Sequence, residues 1–176
     1  DVCSSDLVID TSKYLNHIID VDYDTETALC EPGVVQDQLN SVLAPRGYRL
    51  GADTSTGSRA TLGGMLGNNS SGAHSMRYGK MVDDVKAVSV ALARGELIKF
   101  SEIEWNQWQP ETNTGRRIRD TIGDIRSNLT DEIRRRFPKI QRRVSGYNLD
   151  EIVGNDRVTL AKLIAGSEGT LGPATD

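Results

Sequence analysis

The 176 residues predict an α+β fold, a mainly antiparallel sheet flanked by helices. Three features carry that expectation. Short apolar runs alternate with turn residues in the manner of hairpins. Two segments repeat apolar residues at spacings of three and four, the stripe of an amphipathic helix. Between them lies a long stretch of Gly, Ser, Thr and Asn with little that could build a core.

The elements follow in chain order. Residues 1–7, DVCSSDL, back-translate codon by codon into the end of a common sequencing adapter. They are expected to be an artefact, Cys3 included, and belong with scars that are set aside before fold reasoning. Residues 8–20 hold the apolar segments VID and IIDVD around TSKYLN, predicting strand, turn, strand, and residues 27–30 continue the pattern. After EPG, Val35, Leu39, Val42 and Leu43 fall at i, i+4, i+7 and i+8, so residues 34–44 form a helix that Pro45 stops. Residues 51–79 read as one long loop, and a loop of that length within a compact domain is functional or disordered. KAVSVALA at residues 86–93 alternates as a strand, and RGEL turns it into LIKF, a hairpin. A polar connection runs over residues 101–115. Ile122, Ile125, Leu129, Ile133 and Phe137 mark one face of a single long helix ending at Pro138. A last short helix over residues 160–164 runs into AGSEGTLG.

Composition narrows the function. With 37% hydrophobic and 26% charged residues the chain reads as one globular domain. A net charge of −4 gives no electrostatic reason for a nucleic-acid or anionic-membrane partner. No apolar run approaches the roughly 20 residues that span a bilayer. Cys3, Cys30, His17 and His74 form no close-spaced ligand pair, so no metal site is expected. Cys30, in the apolar stretch TALCEPG, is expected to be a small buried thiol, since a reactive one needs an electropositive setting that the sequence does not show. The basic cluster of Arg134, Arg135, Arg136, Lys139, Arg142 and Arg143 is expected to be a solvated helix end, with phosphate or acidic-partner contact as the alternative.

The chemistry concentrates in TSTGSRATLGGMLGNNSSGAHS. Its glycines allow successive N–H groups to converge on one point and a pyrophosphate to approach the main chain, while Thr56, Ser58, Thr61, Asn68 and Ser70 add neutral donors. It is neither a dinucleotide fingerprint nor a P-loop, since GxGxxG after a strand and GxxxxGK are both missing. On composition alone an ordinary surface loop of turn formers remains equally open.

Four ordered blocks, EPGVVQDQLN, DTSTGSRATLGGMLGNNSSGAHSMRYGK, SGYNLDEI and GSEGTLG, carry a resemblance to FAD-linked oxidases of the vanillyl-alcohol oxidase type, with their PCMH-type FAD-binding domain. Within that type the chain looks most like bacterial flavoproteins of the D-lactate and D-2-hydroxyglutarate dehydrogenase group. The resemblance covers nearly everything after Leu7 and implies an FAD held between two subdomains. Residues 8–176 then supply the second subdomain and the last strand of the first, with the first mostly missing and the substrate domain beyond the chain. It also implies that Asp53, Ser55, Thr56, Ser58, Thr61, Gly63, Gly64, Asn68, Ser70, Gly72, Glu168 and Gly172 contact the cofactor. The implied activity is oxidation of a small 2-hydroxy acid by hydride transfer to FAD, with an electron acceptor and an iron–sulfur cluster in a later region of the intact protein. The implied location is cytoplasmic, or peripheral to the inner membrane.

Departures from the family pattern matter too. The family has prolines where this chain has Ala52 and Thr54, which is expected to loosen the approach to the loop. After GSEGTLG the family continues as a β-branched strand, whereas Pro173 stands here, and proline cannot donate to a sheet ladder. The glycine-rich phosphate loop of the first subdomain and the family's substrate-binding histidines and arginines have no counterpart, so the chain alone is expected to hold FAD weakly or not at all. Two rivals remain: a non-enzymatic nucleotide-binding module, and a serine hydrolase using Ser167 in AGSEG, which lacks the histidine that should follow the serine.

Overall fold

A computed structural model describes residues 8–176. The proposed artefact at residues 1–7, with Cys3, lies outside the described residues. Groups of helices and groups of antiparallel strands follow one another along the chain, and the strands fall into three separate two-stranded sheets.

The first hairpin pairs β1 (Ile18–Asp22) with β2 (Thr27–Cys30). Asp22 closes its turn by accepting hydrogen bonds from the N–H groups of Asp24 and Thr25. The strand expected at VID does not form; Val8 and Ile9 are 72% and 52% exposed. Next comes α1 (Gln36–Leu43), followed by a 3₁₀ turn through Pro45 that ends at Gly47 with φ +79°. The apolar stripe drawn for α1 is only partly the buried one: Leu39 is buried, but Val42 is 43% exposed and the polar Gln36 is 1% exposed.

The segment expected to be one long loop contains two short helices, α2 (Leu62–Gly67) and α3 (Ser75–Tyr78), with α4 (Met81–Asp84) immediately after. Thr61 caps α2 by accepting from the Gly64 N–H, which is why a glycine-rich run can still open a helix. The hairpin of β3 (Val88–Ala91) and β4 (Leu97–Phe100) forms as expected, Val88 opposite Phe100 and Ala91 opposite Leu97. The polar connection proves to hold a strand, β5 (Glu102–Glu104), paired with the equally unforeseen β6 (Arg157–Thr159).

The single long helix is divided into α5 (Asn113–Asn128) and α6 (Thr130–Arg136). Leu129, at φ −117° and ψ 0°, leaves the helical region and interrupts the ladder. The helical run stops one residue before Pro138 with Phe137 extended, as proline requires of the residue ahead of it. The last helix is α7 (Ala161–Ile164). Ile122, Ile133, Ile152, Val158, Leu160 and Ile164 close over Val88, Val90 and Phe100 in one core that also takes in Met65 and Leu66 of α2. Burial of that core against the hairpin is what holds α2 in place, since six residues cannot sustain a helix alone.

The residues after GSEGTLG join β3 despite Pro173. The Pro173 carbonyl accepts from the Ala91 N–H at 3.0 Å, and the Thr175 N–H donates to the Ser89 carbonyl at 2.9 Å. Proline is needed here only as an acceptor, so its missing N–H costs the ladder nothing.

Candidate functional site around α2

The glycine-rich segment is built onto the N-terminal end of α1. The first two helical N–H groups of α1, those of Gln36 and Asp37, have no partner within the helix. They donate instead to the carbonyls of Ala60 and Gly57. Residues 32–34 run alongside the start of α2, the Leu62 N–H donating to Val34 and the Gly63 N–H to Pro32. The acceptors of residues 57 and 60 are thereby consumed within the protein. The N–H groups of Ser55, Thr56 and Ser58 make no hydrogen bond among the described residues. All three side chains are exposed.

The glycines divide by what a Cβ would meet. At Gly57 and Gly63 it would come within 2.6 Å of Asp37 and Pro32, and at Gly72 within 1.5 Å of the Asp53 carbonyl oxygen. These three are required by packing of the chain on itself. At Gly64 it would meet only the Thr61 hydroxyl at 3.1 Å, and at Gly67 nothing within 4 Å. Those two keep one side of α2 open.

The approach to the segment is held by a buried amide. Gln36 Nε2 donates to the Ala52 carbonyl at 2.8 Å and Gln36 Oε1 accepts from the Thr54 hydroxyl at 2.6 Å. The Ala52 N–H donates to Asp84 Oδ2 at 3.1 Å. The expected loosening at Ala52 and Thr54 is therefore met by three hydrogen bonds. Burial pushes the Asp84 carboxyl up to about 6, the Ala52 N–H pulling the other way.

Asp53 accepts from His74 Nδ1 and pairs with Arg49 at 2.7 Å. The His74 hydrogen bond is the largest influence and, helped by the charge and hydrogen bond of Arg49, holds its carboxyl below the usual range against the opposing effect of burial. Gly72 packs on the Asp53 backbone. Ser70, half-buried, donates its N–H to Met65 and accepts from Met81. Asn68, exposed, caps the C-terminal end of α2. The second glycine-rich stretch is pinned there: the Gly166 N–H donates to Leu66 at 2.9 Å and the Glu168 N–H to Gly67 at 3.0 Å. Glu168 is exposed at φ +50°, a conformation glutamate rarely takes, and such outliers gather at ligand sites.

Asp53, Ser55, Thr56, Ser58, Thr61, Gly63, Gly64, Asn68, Ser70, Gly72 and Glu168 are thus gathered on and around α2. Gly172 is not. It lies against β3, where a Cβ would meet the Ala91 carbonyl oxygen at 2.4 Å. Three residues that build the site were not picked out in the sequence: Gln36, Asp84 and Asn69. Asn69 is fully buried at φ +47°, accepts from the Val82 N–H at 3.0 Å, and leaves its Nδ2 without a partner among the described residues. The doubled Asn of GNNSSG was the available signal, since asparagine tolerates that conformation best among non-glycine residues.

An apolar groove of about 540 Å³ runs beside α2, between the first hairpin and α4, with Leu29, Leu39, Leu62, Leu66, Met81 and Val85 in its walls. That is within the range of small-molecule sites. Cys30 is half-buried at its edge, and burial pushes the thiol up to about 11, which leaves it a poor nucleophile. Ser167 is buried, and among the described residues no hydrogen bond joins its hydroxyl to His17 or His74, whose ring nitrogens bond to Glu31 and Asp53, so no serine–base pair is formed.

Comparison with known proteins names the group. The family model described as FAD binding domain matches residues 1–101, and the chain belongs to that family. The chain is 34% identical to D-2-hydroxyglutarate dehydrogenase of Escherichia coli (strain K12), over 97% of this chain and 17% of that protein. It is 29% identical to the mitochondrial D-lactate dehydrogenase [cytochrome] of Kluyveromyces lactis, over 97% of this chain and 21% of that protein. The chain therefore spans about a fifth or less of these curated relatives. A solved structure of alkyldihydroxyacetonephosphate synthase, 22% identical, superimposes with a TM-score of 0.55 over 94% of this chain and 21% of that one, and shares the fold. Among the described residues no helix is long and apolar enough to cross a membrane.

Proposed function

We propose that residues 8–176 form one part of a PCMH-type FAD-binding domain, and that the open side of α2 with the two glycine-rich segments pinned to it is where the cofactor lies. The observation that carries this reading is the docking of Gly166 and Glu168 onto Leu66 and Gly67, which joins both segments at one helix end. The residues present fit a group with a pyrophosphate and an apolar ring system. Unpartnered N–H groups at Ser55, Thr56 and Ser58 and nearby hydroxyls suit phosphate oxygens. Gly64 and Gly67 leave room for close approach, and the apolar groove is large enough for a ring.

In this reading Thr61 and the 55–58 turn bind the phosphates, Asn68 and Glu168 orient the cofactor at the end of α2, and Asp53 fixes His74 beside it. When bound, FAD supplies acceptance of a hydride, here from the α-carbon of a 2-hydroxy acid of the D-lactate or D-2-hydroxyglutarate class. The electrons then pass to an acceptor. The named activities of the relatives support the substrate class. An iron–sulfur cluster elsewhere in the intact protein, and a cytoplasmic place or one peripheral to the inner membrane, complete the proposal.

The test is spectroscopic. Expressed with whatever sequence flanks residues 8–176 in its gene, the protein should show a flavin spectrum that bleaches anaerobically with D-2-hydroxyglutarate or D-lactate. Thr61→Ala combined with Asn68→Ala should lower flavin content. A flavin content unchanged in that double variant would remove the assigned site, and a spectrum that no 2-hydroxy acid bleaches would remove the substrate class.

A further inference from the structure

Between residues 75–83, α6 and residues 137–151 lies a depression of about 610 Å³. Its walls hold the cations Arg77, Lys80, Arg134, Lys139 and Arg143 and the acids Asp83, Asp150 and Glu151. The acids are already engaged: Asp83 with Lys80 at 3.1 Å, Asp150 with Arg143 at 2.6 Å, and Glu151 with Lys162 at 2.8 Å. Arg77, Arg134 and Lys139 make no ion pair among the described residues. Their neighbours Arg135 and Arg136 are by contrast both taken up by Glu132.

A second, independent feature lies in the same wall. Ser75 is 3% exposed and its Oγ has no hydrogen-bond partner among the described residues, although a buried hydroxyl is normally satisfied. From these we infer that the depression is a binding site for the phosphate group of a small molecule, separate from the flavin site. A tetrahedral dianion offers three outward oxygens to two guanidinium groups, an ammonium and a hydroxyl, whereas a carboxylate offers two. Arginine forks match phosphate geometry and an ammonium adds a point charge.

The probe is inorganic phosphate, titrated into the full chain at constant ionic strength and followed by calorimetry. The expected result is a saturable one-site isotherm. Arg134→Gln with Lys139→Gln should weaken it at least about tenfold, the worth of one hydrogen bond to a charged group. Ser75→Ala should weaken it a few-fold. Arg142→Gln should leave it unchanged, because Arg142 belongs to the same basic run but bonds to the Ser71 hydroxyl, outside the depression. Arg134 and Lys139 are exposed, so both variants should keep the parent circular dichroism; Lys139→Gln alone serves if the pair does not. A response matched by potassium chloride, or one weakened as much by Arg142→Gln, would overturn the site in favour of a diffuse positive patch. Flavin content of the same variants separates the two sources of phosphate. Retained flavin supports a distinct ligand, and parallel loss of flavin and phosphate binding assigns the depression to the FAD grip and refutes a separate site.

Discussion

Replacing Gln36 by leucine tests whether a buried amide, and not the glycine-rich segment itself, sets the entry to the candidate site. The swap nearly conserves volume, so little cavity energy enters. Two hydrogen bonds are lost, from Nε2 to the Ala52 carbonyl and from the Thr54 hydroxyl to Oε1. Each is worth about 1 kcal/mol net, and stranding the carbonyl of the fully buried Ala52 adds roughly 1–2 kcal/mol, giving about 3–4 kcal/mol in all. Thr54 is half-buried and its hydroxyl can turn to water, so Thr54→Val should cost only about 1 kcal/mol. With a urea dependence of about 2 kcal/mol per M, Gln36→Leu should lower the unfolding midpoint by about 1.5–2 M. The fluorescence of Trp105 and Trp108, packed at 5.8 Å between ring centres, reports the transition. A midpoint shift below about 0.3 M would refute the reasoning, because it would mean that water replaces the amide without loss.

The remaining predictions concern charge, shape and reactivity. Asp84 is held up at about 6 against an ordinary 3.8, so the folded chain binds its proton more tightly than the unfolded chain does. Stability should therefore fall as pH rises from about 4 to 6, and Asp84→Asn, which can still accept from Ala52, should remove that slope and raise the melting temperature at pH 7. Gly72→Ala puts a methyl 1.5 Å from a backbone oxygen and should prevent accumulation of folded protein on expression, whereas Gly67→Ala meets nothing. Gly67→Ala should match or exceed the parent in thermal stability by up to about 1 kcal/mol, and its flavin content should fall if the open side of α2 faces the cofactor. Cys30, pushed up to about 11, should react with iodoacetamide far more slowly than a free thiol at pH 8 until the chain is unfolded, as mass spectrometry would show.

What the sequence made legible was whatever depends on neighbours along the chain. The β3–β4 hairpin, α1 and α7 follow from local periodicity and turn chemistry. β5 and β6 do not, because three residues are too few to alternate and each strand exists only through its partner: Glu102 faces Thr159 across 57 positions of sequence, 159 − 102. The break at Leu129 is hidden for a different reason. The apolar spacing runs through it without a fault, yet Leu129 is 46% exposed and is no part of the stripe it completes. In the site, composition indicated oxyanion donors and the resemblance named FAD. Neither could say which glycines serve a ligand and which serve packing, since that is decided by Pro32, Asp37 and Asp53 arriving from elsewhere in the chain.

Ala52 and Thr54, where the resemblance leads one to expect proline, show how a departure from pattern can be absorbed. A proline stiffens the chain through its ring and lowers the entropy of the unfolded state, by about 0.4–1 kcal/mol. It also removes an N–H. Ala52 restores that N–H and Asp84 accepts it; Thr54 brings a hydroxyl and Gln36 accepts it. Two net hydrogen bonds of about 1 kcal/mol each are of the same order as the entropy given up. The same geometry thus rests on enthalpy where proline would have used entropy, and it becomes dependent on two side chains, one of which titrates near pH 6. The entry to the glycine-rich segment in this chain is therefore sensitive to pH in a way that a proline-stiffened entry is not.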